Sequence, residues 1–300
     1  MLDPTLVDSA TELGRRRAGQ VIATRTRAQR RRAQVLAACA PGEAHAPATS
    51  AGLVLAEGDS WFDYPLHDVL QILEDEHGYD VETLARAGAS LEAMAYGDGQ
   101  LQNLSRRLER LARDQRLPRA ILLSGGCNDI AGPQFGALLN HADSGQPGLD
   151  DAAVSSVIEQ RMARSLLTML HQVTALCRHW TGQTLPIVLH GYDYPVPDGR
   201  GMAGDWGALS GPWLEPGLRA KGYAPVEVRK GIARSLIDRL NRLQAGVTAL
   251  PGLGHVRHLD LRGTLSSGDD YRQHWANELH PTPKGYALVA ARFAEQLRVL

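Results

Sequence analysis

The chain has 300 residues, with 32 Lys and Arg against 33 Asp and Glu, so its formal charge is close to zero. That length is enough to bury one large core or two smaller ones, and the balance excludes any global electrostatic case for nucleic acid or an anionic membrane surface. The three cysteines, Cys39, Cys127 and Cys177, form no CxxC pair, which fits a reducing, cytoplasmic setting better than a disulfide framework.

The opening residues, MLDPTLVDSATELGRRR, carry acids where a secretory leader is basic, and they lack its apolar stretch. No window reaches the roughly eighteen apolar residues of a membrane span. Residues 1 to about 40 then hold eight arginines against three acids among good helix formers. The expectation is an exposed basic helix, followed by a linker in CAPGEAHAPATSAG. Residues 1–50 therefore read as an extension and 51–300 as the main domain. With no aromatics interleaved, the arginines read as a solvated face before they read as a nucleic-acid contact.

From Gly52 onward, short apolar runs alternate with longer stretches of helical periodicity. The runs GLVLAEGDS, YDVETLAR, RAILLSGG, LPIVLHGYD and HVRHLDLRG have strand length. LHDVLQILEDEHG, LQNLSRRLERLARDQ, AAVSSVIEQRMARSLLTMLHQVTALCRHW, VEVRKGIARSLIDRLNRLQAGVTAL and the final KGYALVAARFAEQL repeat apolar residues near i, i+3, i+4 and i+7. Strand and helix in alternation give a parallel sheet covered on both faces, so the expected fold is α/β, a flavodoxin-like three-layer sandwich with a five-stranded parallel sheet. His255 and His258 have opposite parity on the last strand and read as structural.

In such folds ligands lie at the carboxyl ends of the strands. The loops there are EGDSW, ARAGAS, SGGCNDI, HGYDYPVPDGRG and DLRGTL. A stretch at about 192–226 is too long for an ordinary connection. It carries Tyr192, Tyr194, Trp206, Trp213 and Tyr223 in a chain with only 5% aromatics. With Trp61, Phe62 and Tyr64 it suggests an apolar substrate wall, drawn chiefly from Trp61, Tyr64, Tyr192, Tyr194 and Trp206.

Ser60 follows the first strand, where a serine either caps the next helix or attacks an electrophile. Asn128, after the third strand, can donate a side-chain hydrogen bond to an oxyanion, and the adjacent Gly126 allows close approach of substrate. His280 precedes Pro281 and the last helix, at the same sheet edge. Taken together, Gly58-Asp59-Ser60, Gly88 in ARAGAS, Gly126-Cys127-Asn128-Asp129 and Asn277-Glu278-Leu279-His280 resemble the blocks of the SGNH or GDSL hydrolases over residues 52–298.

That resemblance implies Ser60 as nucleophile and His280 as base, with an oxyanion hole made by the Ser60 and Gly88 amides and Asn128. It also implies an aspartate three residues before the histidine, and this chain has Asn277 there. An asparagine can accept from Nδ1–H but brings no charge. The expected arrangement is a Ser60–His280 dyad oriented by Asn277, with Glu278 or Asp193, and behind them Asp63 or Asp270, as alternative acids.

GxSxG, HExxH and GxxxxGK[ST] are absent from the sequence, which leaves no motif for a hydrolase elbow, catalytic zinc or a P-loop phosphate cradle. The activity expected is cleavage of carboxylic esters through an acyl-enzyme, of the esterase or lipase kind or removal of acetyl groups from carbohydrate. No metal or other cofactor is expected, the partner is a small-molecule ester, and self-association is left open. The competing expectation is a catalytically weak hydrolase-fold module whose arginine helix meets an acidic partner or nucleic acid.

Overall fold

The computed structural model describes residues 27, 30, 31, 33–35, 37, 50–65, 67–202 and 211–300. Most of the basic extension, Cys39 and Trp206 lie outside these residues. Arg27, Arg30 and Arg31 are helical and exposed.

Five strands form one parallel sheet: β1 (Leu53–Glu57), β2 (Asp80–Thr83), β3 (Ala120–Leu123), β6 (Ile187–His190) and β7 (Val256–Leu259). Their spatial order is β2-β1-β3-β6-β7, the doubly wound order with its reversal between β1 and β3. Every residue of β1, β3 and β6 is buried. This is why these strands read as continuous apolar runs and do not alternate. A two-stranded hairpin, β4 (Leu139–Asn140) with β5 (Gly148–Leu149), lies apart from the sheet.

Helices cover both faces. On one side α1 (Val69–Asp75) packs against the last helix, α9 (Pro283–Arg298). On the other, α2 (Leu91–Tyr96) and α3 (Asp98–Arg113) pack against α6 (Ala163–Thr181), the end of a long helix that begins at α5 (Asp151–Val154) and passes through a π-helical stretch, Ser155–Met162. A short helix, α4 (Cys127–Ile130), follows β3, and α7 (Glu215–Ala220) precedes α8 (Val226–Thr248).

Local chemistry sets these ends. Asp68 caps α1 by accepting from the Gln71 amide, and Thr282 caps α9 ahead of Pro283 at its first position. Gly182, with φ of 70°, closes α6 in the left-handed conformation that glycine adopts without penalty. Among the described residues no helix is long and apolar enough to cross a membrane.

Candidate active site

β1 runs directly into the turn that carries Ser60. A Cβ on Gly58 would come within 2.6–2.9 Å of Ser124 atoms, so only glycine lets the end of β1 approach the end of β3 this closely. Asp59 then locks the turn. Its Oδ1 accepts from the Trp61 amide (3.0 Å) and the Ser124 hydroxyl (2.6 Å), and its Oδ2 accepts from the Tyr192 hydroxyl. A fully buried carboxylate with three donors is a structural anchor, and it leaves Ser60 free of any capping duty. The helix that follows is capped by Asp68 instead.

Ser60 Oγ lies 2.8 Å from His280 Nε2. On the other side of the ring, His280 Nδ1 lies 3.0 Å from Asn277 Oδ1. That same oxygen accepts from the backbone amides of Leu279 (3.1 Å) and His280 (2.9 Å). The amide orientation is therefore fixed: reversing it would turn the NH2 group onto three donors. At the far end Asn277 Nδ2 donates to the Tyr64 hydroxyl (3.0 Å). Burial pushes the His280 imidazole down to about 3, so the ring is neutral at ordinary pH, the form a general base requires.

Two aromatic rings face this imidazole. Tyr64 stacks on it, with centroids 4.2 Å apart and planes 24° apart, and Trp213 meets it edgewise at 5.2 Å.

The loops after β2 and β3 close the other side. The Arg86 amide donates to Gly58 O (2.8 Å) and the Ala87 amide to Asp63 Oδ2 (2.9 Å), which hold the Gly88 loop against the Ser60 turn. Gly88 has φ of 81° and Gly126 of 120°, conformations that a side chain would strain. Asn128 Nδ2 donates to Ala89 O (2.9 Å) and Asp129 Oδ2 accepts from the Leu91 amide (2.9 Å), joining the two loops. Among the described residues the Ser60 and Gly88 amides donate to no protein acceptor. Ser60 and His280 are nearly covered, at 8% and 4% exposed, whereas Gly88 is exposed and Asn128 half-buried. The site therefore opens on the side of the two loops.

Several expected residues do other jobs. Glu278 is no acid for His280: its carboxylate is fully buried and accepts from the amides of Gly199, Trp213, Leu214 and Glu215 at 2.7–3.0 Å. Asp193 likewise accepts from the amides of Tyr194, Gly263 and Leu265. Asp63 holds Ala87, and Asp270 accepts from the Ser266 hydroxyl. Trp61 and Tyr192 are 2% exposed and belong to the core, Trp61 stacked on His190 and donating to Leu279 O, Tyr192 bonded to Asp59. Neither lines a substrate wall. Tyr194 turns away to Asp238 and under the Arg234 guanidinium. Of the expected aromatics among the described residues, Tyr64 and Trp213 reach the site. Trp213, the last tryptophan of the long insertion, joins it because its amide is held by Glu278, a contact no local motif announces.

No group of three or more His, Cys, Asp or Glu side chains among the described residues could hold a metal ion.

No protein-family model matches the chain, and no curated protein matches it. The chain is similar to solved structures, many of them SGNH hydrolases, acetylesterases and arylesterases. They include a provisionally assigned SGNH hydrolase from Slackia heliotrinireducens, at 17% identity over 82% of this chain and 98% of that one, with a TM-score of 0.47. A carbohydrate acetylesterase from Sinorhizobium meliloti is 12% identical over 83% of this chain and 99% of that one, with a TM-score of 0.48. A family 3 carbohydrate esterase from Talaromyces cellulolyticus is 13% identical over 83% and 97%, with a TM-score of 0.42.

Proposed function

We propose that the protein is a serine hydrolase that cleaves carboxylic esters through an acyl-enzyme on Ser60. The observation that carries this reading is the line from Ser60 Oγ to His280 Nε2 (2.8 Å) and from His280 Nδ1 to Asn277 Oδ1 (3.0 Å). A serine, a buried neutral base and an orienting acceptor in series are what activates a hydroxyl for attack.

In the first half-reaction Ser60 Oγ bonds to the ester carbonyl carbon while its proton passes to His280 Nε2. The carbonyl electron pair moves onto oxygen. The Ser60 and Gly88 amides and the second N–H of Asn128, the one not given to Ala89, are the donors available to this oxyanion. Its collapse breaks the bond to the alcohol oxygen, which takes the proton from Nε2 and leaves. Water then attacks the acyl-enzyme, giving its proton to Nε2. The second collapse releases the carboxylic acid and returns the proton to Ser60.

The near-complete burial of Ser60 and His280 and the aromatic surfaces of Tyr64 and Trp213 favour a short acyl group, on an alcohol or a sugar ring that stacks on an aromatic face. Hydrolysis of p-nitrophenyl acetate, p-nitrophenyl octanoate and an acetylated sugar, measured for the unaltered protein and for Ser60→Ala and His280→Ala, tests the proposal. The expected order is acetate above octanoate, with both variants reduced by at least about a thousandfold. Hydrolysis that survives Ser60→Ala would overturn the assignment.

A further inference from the structure

A histidine that takes a proton from serine becomes a cation, and among the described residues no carboxylate contacts His280 to balance it. The acids nearest in sequence are committed elsewhere: Asp59 to Trp61, Ser124 and Tyr192, Glu278 to four loop amides, and Asp63 to Ala87. Asn277 supplies an oxygen and no charge. A buried imidazolium with only a neutral acceptor is costly, so a catalyst of this composition needs another source of electron density.

The ring of Tyr64 supplies it. It stacks on the imidazole with centroids 4.2 Å apart and planes inclined by 24°, within the range in which an aromatic face attracts a cation, and the attraction grows when the pair is shielded from water. The Tyr64 hydroxyl accepts from Asn277 Nδ2 at 3.0 Å. One side chain therefore covers the face of the base and anchors its orienting amide. It sits in the Ser60 turn itself, four residues from the nucleophile, so the turn that presents Ser60 also presents the ring.

We infer that Tyr64 is a positioning residue that stands in for the missing acid, its ring face stabilising the transient imidazolium of His280 and its hydroxyl holding Asn277 in register. This rests on the ester-hydrolase reading above and adds a role that reading does not contain. The neutral state of His280 gains little from a π-face and the protonated state gains more. The contribution therefore belongs to the transition state and shows in kcat more than in KM.

The test uses the full chain with p-nitrophenyl acetate. Tyr64→Leu is expected to lower kcat about tenfold with KM changed less than about twofold, whereas Tyr64→Phe, which keeps the ring and loses the hydroxyl, loses only about threefold. The decisive arm repeats Tyr64→Leu in an Asn277→Asp background. There a full negative charge faces Nδ1, and the loss from Tyr64→Leu is expected to shrink to about twofold or less. Tyr64→Met, which fills similar space without a π-face, serves in both backgrounds should the leucine variant fail to fold by thermal melting.

An equal loss in both backgrounds overturns the proposal. So does a loss confined to KM, which would make Tyr64 a substrate wall, or a Tyr64→Phe variant as impaired as Tyr64→Leu. Activity surviving in Ser60→Ala would remove the hydrolase reading itself, an outcome independent of every Tyr64 comparison.

Discussion

Asn277 Oδ1 accepts three N–H groups while its Nδ2 donates to Tyr64, and that arrangement decides what an aspartate would do there. Oδ1 would keep its three donors, and the second oxygen would accept from the Tyr64 hydroxyl, which can donate as readily as it accepts. Asn277→Asp is thus expected to fit the site and to raise turnover by about tenfold or more, since the imidazolium would gain a full countercharge. The pH profile carries the sign. The base must be neutral, and burial holds His280 at about 3, so kcat/KM should show no acid limb from His280 above about pH 4. A nearby carboxylate favours the charged imidazole, so Asn277→Asp should move that limb to higher pH. A profile unchanged by the substitution would contradict the assignment of Asn277 beside Nδ1. At this scale the meeting of Ser60, His280 and Asn277 is legible in the sequence, because short motifs at strand ends name them. Trp61 and Tyr192 read in sequence as substrate contacts, because an aromatic beside a candidate reactive serine looks alike whether it faces ligand or core; burial against β6 and α9 places them in the core.

The loop that brings Trp213 to His280 is fastened by one carboxylate. Glu278 accepts from four amides on two segments of the long insertion, and although burial raises its pKa, those amides oppose the rise. Glu278→Gln would set an NH2 group against at least one backbone donor, so it is expected to destabilise the protein by about 2 kcal/mol. It should also accelerate amide exchange at Gly199 and at residues 213–215. Unchanged exchange there would show that the clamp is not what holds the loop. Because Asn277, Glu278 and His280 share one short segment, loosening the clamp should lower kcat/KM as well. The five strands and the main helices could be read from apolar runs and periodicity. The π-helical stretch Ser155–Met162, α2 and the β4–β5 hairpin could not, since each is short or locally indistinguishable from its surroundings and is selected by packing. Met162, for example, lies where a Cβ on Gly126 would approach within 3.2 Å of its side chain.

Across the whole molecule, the sheet order brings the ends of β1, β3 and the segment before α9 to one edge, and the same burial that shields His280 also traps a carboxyl group. Glu57, the last residue of β1, is 4% exposed and is pushed up by burial to about 8, against the opposing effects of Arg86, Gln100 and the Gly58 amide. A folded-state value above the unfolded value of about 4.5 means that folding retains a proton here. The associated stability is complete below about pH 4.5 and is lost as pH rises through about 8. Relative to the unaltered protein, Glu57→Gln should therefore gain at least about 2 kcal/mol between pH 5 and pH 9 in urea unfolding; a constant difference across that range would contradict the burial of a protonated Glu57. Covalent attack by Ser60 is read out by intact-protein mass spectrometry after exposure to a fluorophosphonate, with the modified peptide then identified. A single adduct on Ser60, slowed by at least about a hundredfold in His280→Ala, is the result predicted, whereas no adduct, or one that persists in Ser60→Ala, would contradict it.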